Sequence, residues 1–431
     1  MQISIPDPKL AQSLQKELER QRQTLEMIPS ENFVSPAVLN ALGSVGTNKY
    51  SEGYPGQRYY GGNQFIDEIE NLARERAKKL FSVDHVNVQP YSGSPANQAA
   101  IFAVANPGET IMGMHLFYGG HLTHGWNVNF SARYYKSVQY TTKKDGWLNY
   151  EQIESLAKKH RPKVIFCGAT AYPRLYDYPL LAKIAHSVDA YFIADIAHEA
   201  GLIAAKIIPS PVGHADIITT TTHKTLRGPR GAMIMCNGKE SHPLKPLSEN
   251  ENPRKNLPTL IDRAVFPGLQ GGPHNHTTAA IAMALEEALK PEFKTYAEQI
   301  LKNAKALAQN LIDEGLELVT GGTDNHLMLV KLTNLGIGGK QAETVLNEVG
   351  ITANKNTIPF DERKPYDPSG IRLGTPALTS RGFKEDEMKI IGKLIAKILK
   401  NHESETIKQE IKKSVKELTG KYPLYPELEY N

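Results

Sequence analysis

The sequence predicts an α/β fold: a mostly parallel, doubly wound sheet with helices on both faces, followed by a smaller α+β C-terminal domain. Two observations carry this. Apolar runs of strand character at 110–114, 164–167, 191–195, 217–220 and 232–235 alternate with helical patterns at 67–80, 150–159 and 180–188. That order favours parallel pairing through right-handed crossovers. A long helical stretch over 277–289 and 293–314 then leads into a different rhythm, with strands at 326–331 and 371–373 and helices at 339–349 and 384–400. The expected division is an N-terminal arm over 1–45 that packs on a partner subunit, a large domain over 46–285 and a small domain over 286–431.

Each element has its own signal. In the arm, Leu10, Leu14, Leu18 and Leu25 fall near helical spacing, so 7–26 reads as an amphipathic helix. Residues 50–62 are rich in tyrosine and glycine, fit neither period and read as a functional loop. A strand at 85–89 runs into Tyr91-Ser92-Gly93-Ser94-Pro95-Ala96-Asn97, and a helix follows over 98–104. Residues 239–260 are polar, hold Pro243, Pro246, Pro253 and Pro258, and read as a surface loop. Lysines gather between Lys389 and Lys421, but glutamates interleave with them, as on a solvated helix face.

Composition excludes several classes. With 40% hydrophobic and 22% charged residues over 431 positions, the chain is an ordinary globular protein long enough for two cores. No apolar run approaches the length of a membrane span, and residues 1–22 lack a signal peptide's apolar segment. The only two cysteines, Cys167 and Cys236, sit in apolar runs and read as reduced core residues of a cytoplasmic protein. A formal charge of +4 without a nucleic-acid motif argues against nucleic-acid binding. The pairs His121/His124 and His274/His276 lack the cysteine or carboxylate companions of a closed metal site, so no metal is expected.

The chemistry concentrates in three segments. Lys224 stands between a threonine run at 219–222 and a Gly/Pro-rich turn at 228–231. A lysine held there is partly desolvated and beside cationic neighbours, and both effects make its amine a usable nucleophile. The apolar run 191–195 ends in Asp195, which places a carboxylate at the C-terminal end of a buried strand. Open α/β sheets bind ligands at that end. Such a carboxylate suits a pyridinium N–H, the partner that a pyridoxal phosphate (PLP) lysine needs. Ser92, Gly93 and Ser94 open a helix and form a site for a phosphate.

With these residues, the chain resembles the serine hydroxymethyltransferase family, PLP-dependent enzymes of fold type I with a mostly parallel, seven-stranded type of sheet. The resemblance runs almost end to end. It is carried by residues 28–32, the Glu-Gly-Tyr-Pro-Gly…Arg-Tyr-Tyr-Gly-Gly run of 52–62, residues 119–125, the Lys224 segment, residues 265–273 and 321–326, and Gly-Ile-Arg-Leu-Gly-Thr-Pro at 370–376.

The resemblance implies a role for each matching position. Lys224 would form the Schiff base with PLP, Asp195 would hold the ring nitrogen, and His121 would stack on the ring. Thr170 and His198 would lie near the phenolic oxygen, His223 would tune the lysine, and Ser92, Gly93 and Ser94 would bind the phosphate. Tyr50 and the Gly271–Gly272 loop would come from the second subunit of a homodimer or tetramer. Arg372, assisted by Ser30, would clamp the amino-acid carboxylate. Glu52 would be the acid/base group, with Tyr60 beside it. Leu116, Gly119, Gly120, Leu122 and Asn356 would contact tetrahydrofolate. The implied reaction turns serine and tetrahydrofolate into glycine and 5,10-methylenetetrahydrofolate.

Some positions depart from the family pattern: Pro95, Glu199, Lys206, Leu269, and threonine for serine at Thr170. None removes a catalytic group. A pairing of Glu199 with Lys206 is one expectation, and an ion pair of Glu52 with Arg58 is the competing structural role for Glu52. A folate-independent PLP aldolase acting on 3-hydroxy amino acids would share the lysine and aspartate. A binding homologue without catalysis would have lost Lys224, Asp195, Glu52 or Arg372, and all four are present.

Overall fold

The computed structural model describes residues 2–238 and 253–430, so the 239–252 part of the expected loop lies outside the described residues. The chain divides into two compact units, 34–298 and 1–33 with 299–431.

The first unit is built on seven strands: β1 (His85–Asn87), β2 (Thr110–Met114), β3 (Lys136–Tyr140), β4 (Val164–Cys167), β5 (Tyr191–Asp195), β6 (Ile217–Thr221) and β7 (Ala232–Cys236). Their order across the sheet is β1-β7-β6-β5-β4-β2-β3. The sheet is mixed. β7 runs antiparallel to both neighbours, and the other six share one direction. The cause is the length of the β6–β7 connection. Residues 222–231 are too few for a crossover, so the chain must turn back as a hairpin. Lys224 sits in that hairpin.

β3 has no counterpart among the expected strands. It pairs only with β2, at the edge of the sheet, and only its last residue, Tyr140, is buried. An edge strand with one buried position carries little hydrophobic pattern. β4, β6 and β7 are buried at every position, and β5 at all but Asp195, so these were the legible ones. One core cluster joins Ile111, Phe166, Ile193, Ile217 and Ile234 of the sheet to Ala100 and Ile101 of helix Gly93–Val104 and Ile261 of helix Leu257–Arg263. That last helix, with the short turn Pro253–Asn256 before it, replaces the end of the expected loop. Pro258 in its first turn is compatible with a helix, because a proline there removes no hydrogen bond.

The second unit has a four-stranded antiparallel sheet of β8 (Glu317–Leu318), β9 (Leu327–Lys331), β10 (Asn354–Asn356) and β11 (Gly370–Gly374), ordered β8-β9-β11-β10. Helices Gly339–Glu348, Glu385–Lys400 and Glu405–Lys421 accompany it. The last two of these carry the lysine-rich stretch between Lys389 and Lys421, and Glu405–Lys421 is its second half. Ile411, Val415 and Leu418 keep a narrow apolar stripe at helical spacing and join the core, so it is more than a solvated face.

One buried cation ties this unit's ends together. The Arg381 guanidinium donates to the carbonyls of Gln21, Arg22 and Thr24 at the end of helix Pro8–Gln23 and to those of Thr419 and Tyr422 at the end of helix Glu405–Lys421, at 2.8–3.3 Å. Helix C-termini leave carbonyls without intrahelical partners and carry partial negative charge. Burial lowers the Arg381 pKa to about 10, which still leaves it charged. Arg381→Met should therefore cost about 3 kcal/mol, because buried carbonyls lose their donor, and a urea midpoint measures it.

Candidate active site

The site of the first unit lies at the carboxyl ends of the parallel strands, where the turns after β1, β2, β4, β5 and β6 converge. Its centre is Asp195, the last residue of β5. Its Oδ2 accepts from Asn97 Nδ2 at 2.8 Å and lies 3.0 Å from His124 Nε2, while its Oδ1 accepts from the Ala197 N–H at 3.0 Å. Burial pushes this carboxyl's pKa up, but the His124 and Asn97 contacts and the His121 ring outweigh it and hold it well below the usual carboxylate range. Asp195 is thus a mostly buried anion with lone-pair capacity to spare.

Each supporting group is itself fixed. Asn97, on the inward face of helix Gly93–Val104, accepts from the Thr219 hydroxyl at 2.6 Å and donates to Thr123 Oγ1 at 2.8 Å. The Thr123 N–H donates to His121 Nδ1 at 3.2 Å, and its hydroxyl lies 2.6 Å from the same nitrogen. With Nδ1 accepting, the His121 proton belongs on Nε2. Burial, with His124 and Lys224 nearby, lowers the His121 pKa to about 4, so the ring is neutral. The His124 ring stacks on Phe166 at 4.7 Å between centroids. Gly120 lets this loop lie on β2, since a Cβ there would come 2.0 Å from the Met114 carbonyl oxygen.

Lys224 is 8% exposed, in the β6–β7 hairpin. The hairpin is closed by Gly228 N–H to the Thr222 carbonyl at 2.7 Å and by the Thr222 hydroxyl to the Pro229 carbonyl at 2.6 Å. His223, beside it, is neutral: burial first, then Lys224 and Arg230, lower its pKa to about 3. Its buried Nδ1 has no hydrogen-bond partner among the described residues. On the neighbouring turn, the His198 carbonyl accepts from the Thr225 hydroxyl at 2.9 Å. Thr170 Oγ1 lies 3.2 Å and 3.1 Å from the carbonyl oxygens of Gly119 and Gly120. Glu199 is buried, whereas Lys206 is exposed beyond the short helix Ala200–Ala204, and the two do not pair.

The fit to PLP rests on two observations. Asp195 is an ionised carboxylate in a buried site. Helix Gly93–Val104 opens on Ser92 with no side chain capping it and no acid in its first turn, and a Cβ at Gly93 would meet Thr221 Cγ2 at 2.7 Å. Free N–H groups beside a glycine are what a phosphate requires.

A second group adjoins this turn through Tyr91. The Tyr50 hydroxyl donates to Glu52 Oε1 at 3.2 Å, and the rings of Tyr50 and Tyr60 meet edge-on at 5.0 Å. A Cβ on Gly271 would lie 3.0 Å from Glu52 Oε1, and one on Gly272 would lie 3.0 Å from the Tyr50 ring. Tyr91 donates to the Gly272 carbonyl at 2.9 Å and stacks on His274 at 4.2 Å. Arg58 pairs instead with Asp67 at 2.8 Å and Glu70 at 2.7 Å, so the competing Glu52–Arg58 ion pair does not form. Leu116 and Leu122 begin short turns on either side of Gly119 and Gly120.

Ser30, Asn356 and Arg372 belong to the other unit. Arg372, in β11, is buried and donates from Nε to Asn354 Oδ1 at 3.1 Å. Burial lowers its pKa to about 10, against the opposing charge of Glu31. Asn356 Nδ2 donates to the Thr357 carbonyl at 2.7 Å. Ser30 follows Pro29, which packs against Gly374.

Sequence reasoning gave no site role to Asn97, Thr123, Thr219 or Tyr91, and weighed His124 and His274 only as metal ligands. Spacing held part of the signal: Asn97 lies one helical turn after Ser94, and His124 three residues after His121. The set His121, His124 and Asp195 does bring three possible ligand atoms within 4.8 Å of one another. Asp195 Oδ2, however, is already engaged by Asn97 and His124.

The two neutral histidines make stability depend on pH. Their folded values, about 4 and about 3, lie below the unfolded value near 6.5. Their contribution is complete above that value and is lost as pH falls, because the unfolded chain takes up protons that the folded chain refuses. The slope approaches about 1.4 kcal/mol per pH unit for each histidine. His223→Asn should therefore lose less melting temperature than the native protein between about pH 6.5 and 4.5.

Comparison with known proteins shows the family. The family model described as serine hydroxymethyltransferase matches residues 3–395. A serine hydroxymethyltransferase of Acidothermus cellulolyticus is 53% identical over 428 residues, covering 98% of this chain and 96% of that protein. With a buried lysine and a mostly buried carboxylate at adjacent strand ends, a match of this length places the chain in the serine hydroxymethyltransferase family.

Proposed function

We propose that the Lys224 pocket binds PLP, with Asp195 at the ring nitrogen, His121 on the ring face, and Ser92, Gly93 and Ser94 at the phosphate. The observation that supports this most is Asp195, a carboxylate kept ionised in a buried site beside a buried lysine. As a member of its family, the chain interconverts serine and glycine, with tetrahydrofolate as the one-carbon acceptor. When bound, PLP supplies an electron sink for negative charge at the substrate α-carbon.

The protein's own groups do the rest. Asp195 holds a proton on the ring nitrogen through an anion–cation pair that the His124 and Asn97 contacts keep in place. The Lys224 amine is the covalent attachment point, and the neutral His223 beside it spares it a second positive charge. Thr170 and His198 would lie near the phenolic oxygen. Glu52 moves the proton at the serine hydroxyl, with Tyr50 as its hydrogen-bond partner and Tyr60 alongside. Arg372, with Ser30, takes the substrate carboxylate. Leu116, Gly119, Gly120, Leu122 and Asn356 take the folate.

The second cluster is proposed to complete the site of a neighbouring copy in a homodimer, with the arm of residues 1–45 packing on the partner. In support, Tyr50 and Phe65 are 53% and 66% exposed on the first unit. A cytoplasmic location is supported by two buried free cysteines. Among the described residues, no helix is long and apolar enough to cross a membrane.

The purified protein should be yellow, and Lys224→Ala colourless after dialysis; a variant that stays yellow would move the attachment point elsewhere. Glycine and tetrahydrofolate together should change the visible spectrum more than glycine alone, and indifference to folate would favour the aldolase. Arg372→Ala should raise the serine KM by the equivalent of about 2–5 kcal/mol.

A further inference from the structure

Arg58 makes no ion pair with Glu52, yet it holds the backbone on both sides of that residue. Its Nη1 donates to the Ser51 carbonyl at 2.9 Å and to the Gly53 carbonyl at 2.7 Å. Between these two, the Glu52 carbonyl accepts from the Tyr59 N–H at 3.0 Å. The Ser51 and Glu52 carbonyls belong to the two peptide planes that meet at the Glu52 Cα. Fixing both planes fixes the direction in which the Glu52 side chain leaves the chain. The short strands Gly53–Tyr54 and Gln57–Arg58 set the register, with Gly53 opposite Arg58. Glycine is required there, because its φ is +96° and a Cβ would lie 2.2 Å from the Gln57 carbonyl oxygen.

The guanidinium is itself fixed, and its side chain is 4% exposed. Nε donates to Asp67 Oδ1 at 2.8 Å and Nη2 to Glu70 Oε2 at 2.7 Å, both acids on helix Gln64–Phe81. Gln89, just past β1, donates from Nε2 to Glu70 Oε1 at 2.9 Å and to the same Gly53 carbonyl at 3.0 Å. On the other flank, the Ser51 hydroxyl donates to Asn275 Oδ1 at 2.7 Å, and Asn275 Nδ2 donates to the Lys49 carbonyl at 2.6 Å. All these groups lie within one unit. The two acids alone would fasten the hairpin to its helix. The donations from Nη1 go further, since they reach the backbone that carries Glu52.

We propose that Arg58 is a positioning residue for Glu52: it holds the carboxylate at the Tyr50 hydroxyl and the bare edge of Gly271, where a proton is to be moved. The inference rests on Glu52 being the acid/base group. Proton transfer needs the heavy atoms within hydrogen-bond reach, and a misplacement of about 1 Å costs up to roughly a hundredfold in rate. An ammonium at position 58 would keep the charge between Asp67 and Glu70. It lacks the rigid planar fork that serves both acids and both carbonyls together.

The test is a double-mutant cycle of Arg58→Lys and Glu52→Gln in the holoenzyme, read as kcat and serine KM with tetrahydrofolate present. Arg58→Lys should lower kcat roughly 10- to 100-fold, with the serine KM within about threefold of native. In the Glu52→Gln background the same change should lower the residual kcat by less than about twofold. Equal losses in the two backgrounds make Arg58 a structural residue and overturn the proposal, as does an unchanged kcat. A second readout is independent of turnover. Amide hydrogen exchange of the Arg58→Lys holoenzyme should quicken over residues 50–60 and not in the Lys224 hairpin, and unchanged exchange over 50–60 counts against the role. If Arg58→Lys does not fold, Gln89→Met takes its place, since it removes a donor from Glu70 and from the Gly53 carbonyl and leaves both ion pairs. Its loss in kcat should be roughly three- to tenfold and should vanish in the same way beside Glu52→Gln. Glu52→Gln alone separates the two levels. If it leaves kcat unchanged, Glu52 is not the acid/base group and this inference falls with that reading. If it lowers kcat while Arg58→Lys loses equally in both backgrounds, only the role of Arg58 is excluded.

Discussion

A carboxylate buried at the end of a central strand has to be stabilised as an anion, and much of the first unit is arranged around that requirement at Asp195. Desolvation alone would neutralise it. Asn97, His124 and the Ala197 N–H prevent this, and each comes from a different element. Asn97 can serve only because its carbonyl oxygen is held by Thr219 on the adjacent strand. The same residue donates to Thr123, whose backbone and hydroxyl set the His121 tautomer. One anion thus fixes the register of a helix, a strand and a glycine-rich loop. A polar network of this kind is rigid when every member is satisfied and costly when one is lost.

The hairpin between β6 and β7 follows from the same topology. A connection of this length returns antiparallel, so Lys224 emerges at the carboxyl edge, beside the strand that ends in Asp195. Both act on His121, one lowering and one raising its pKa. The phosphate turn lies at the end of β1, across β7 and β6 in the sheet. Lysine, acid and phosphate turn are far apart in sequence, yet they share an edge because six of the seven strands point the same way.

The second unit uses buried charge differently. Arg381 spends its donors on helix-terminal carbonyls and acts as a structural clasp. Arg372 is buried and donates from its Nε to Asn354. A guanidinium whose donors all go to backbone carbonyls is structural, whereas a guanidinium's planar fork also suits a carboxylate ligand.

The sequence by itself determined the strands that are buried throughout, the helices between them and the three segments that carry the chemistry, because continuous apolar runs and Gly/Pro punctuation are local signals. It also marked Lys224, Asp195, Arg372 and Glu52 through motifs of unusual composition. It did not reveal β3, an edge strand with one buried residue, nor the helix at 257–263 inside a proline-rich stretch. Only the tertiary structure decided that β7 runs antiparallel, that Arg58 pairs with Asp67 and Glu70 and leaves Glu52 to Tyr50, and that Asn97, Thr123 and His124 support the aspartate. These are contacts between residues distant in the chain, and neither composition nor periodicity records which polar side chains will meet.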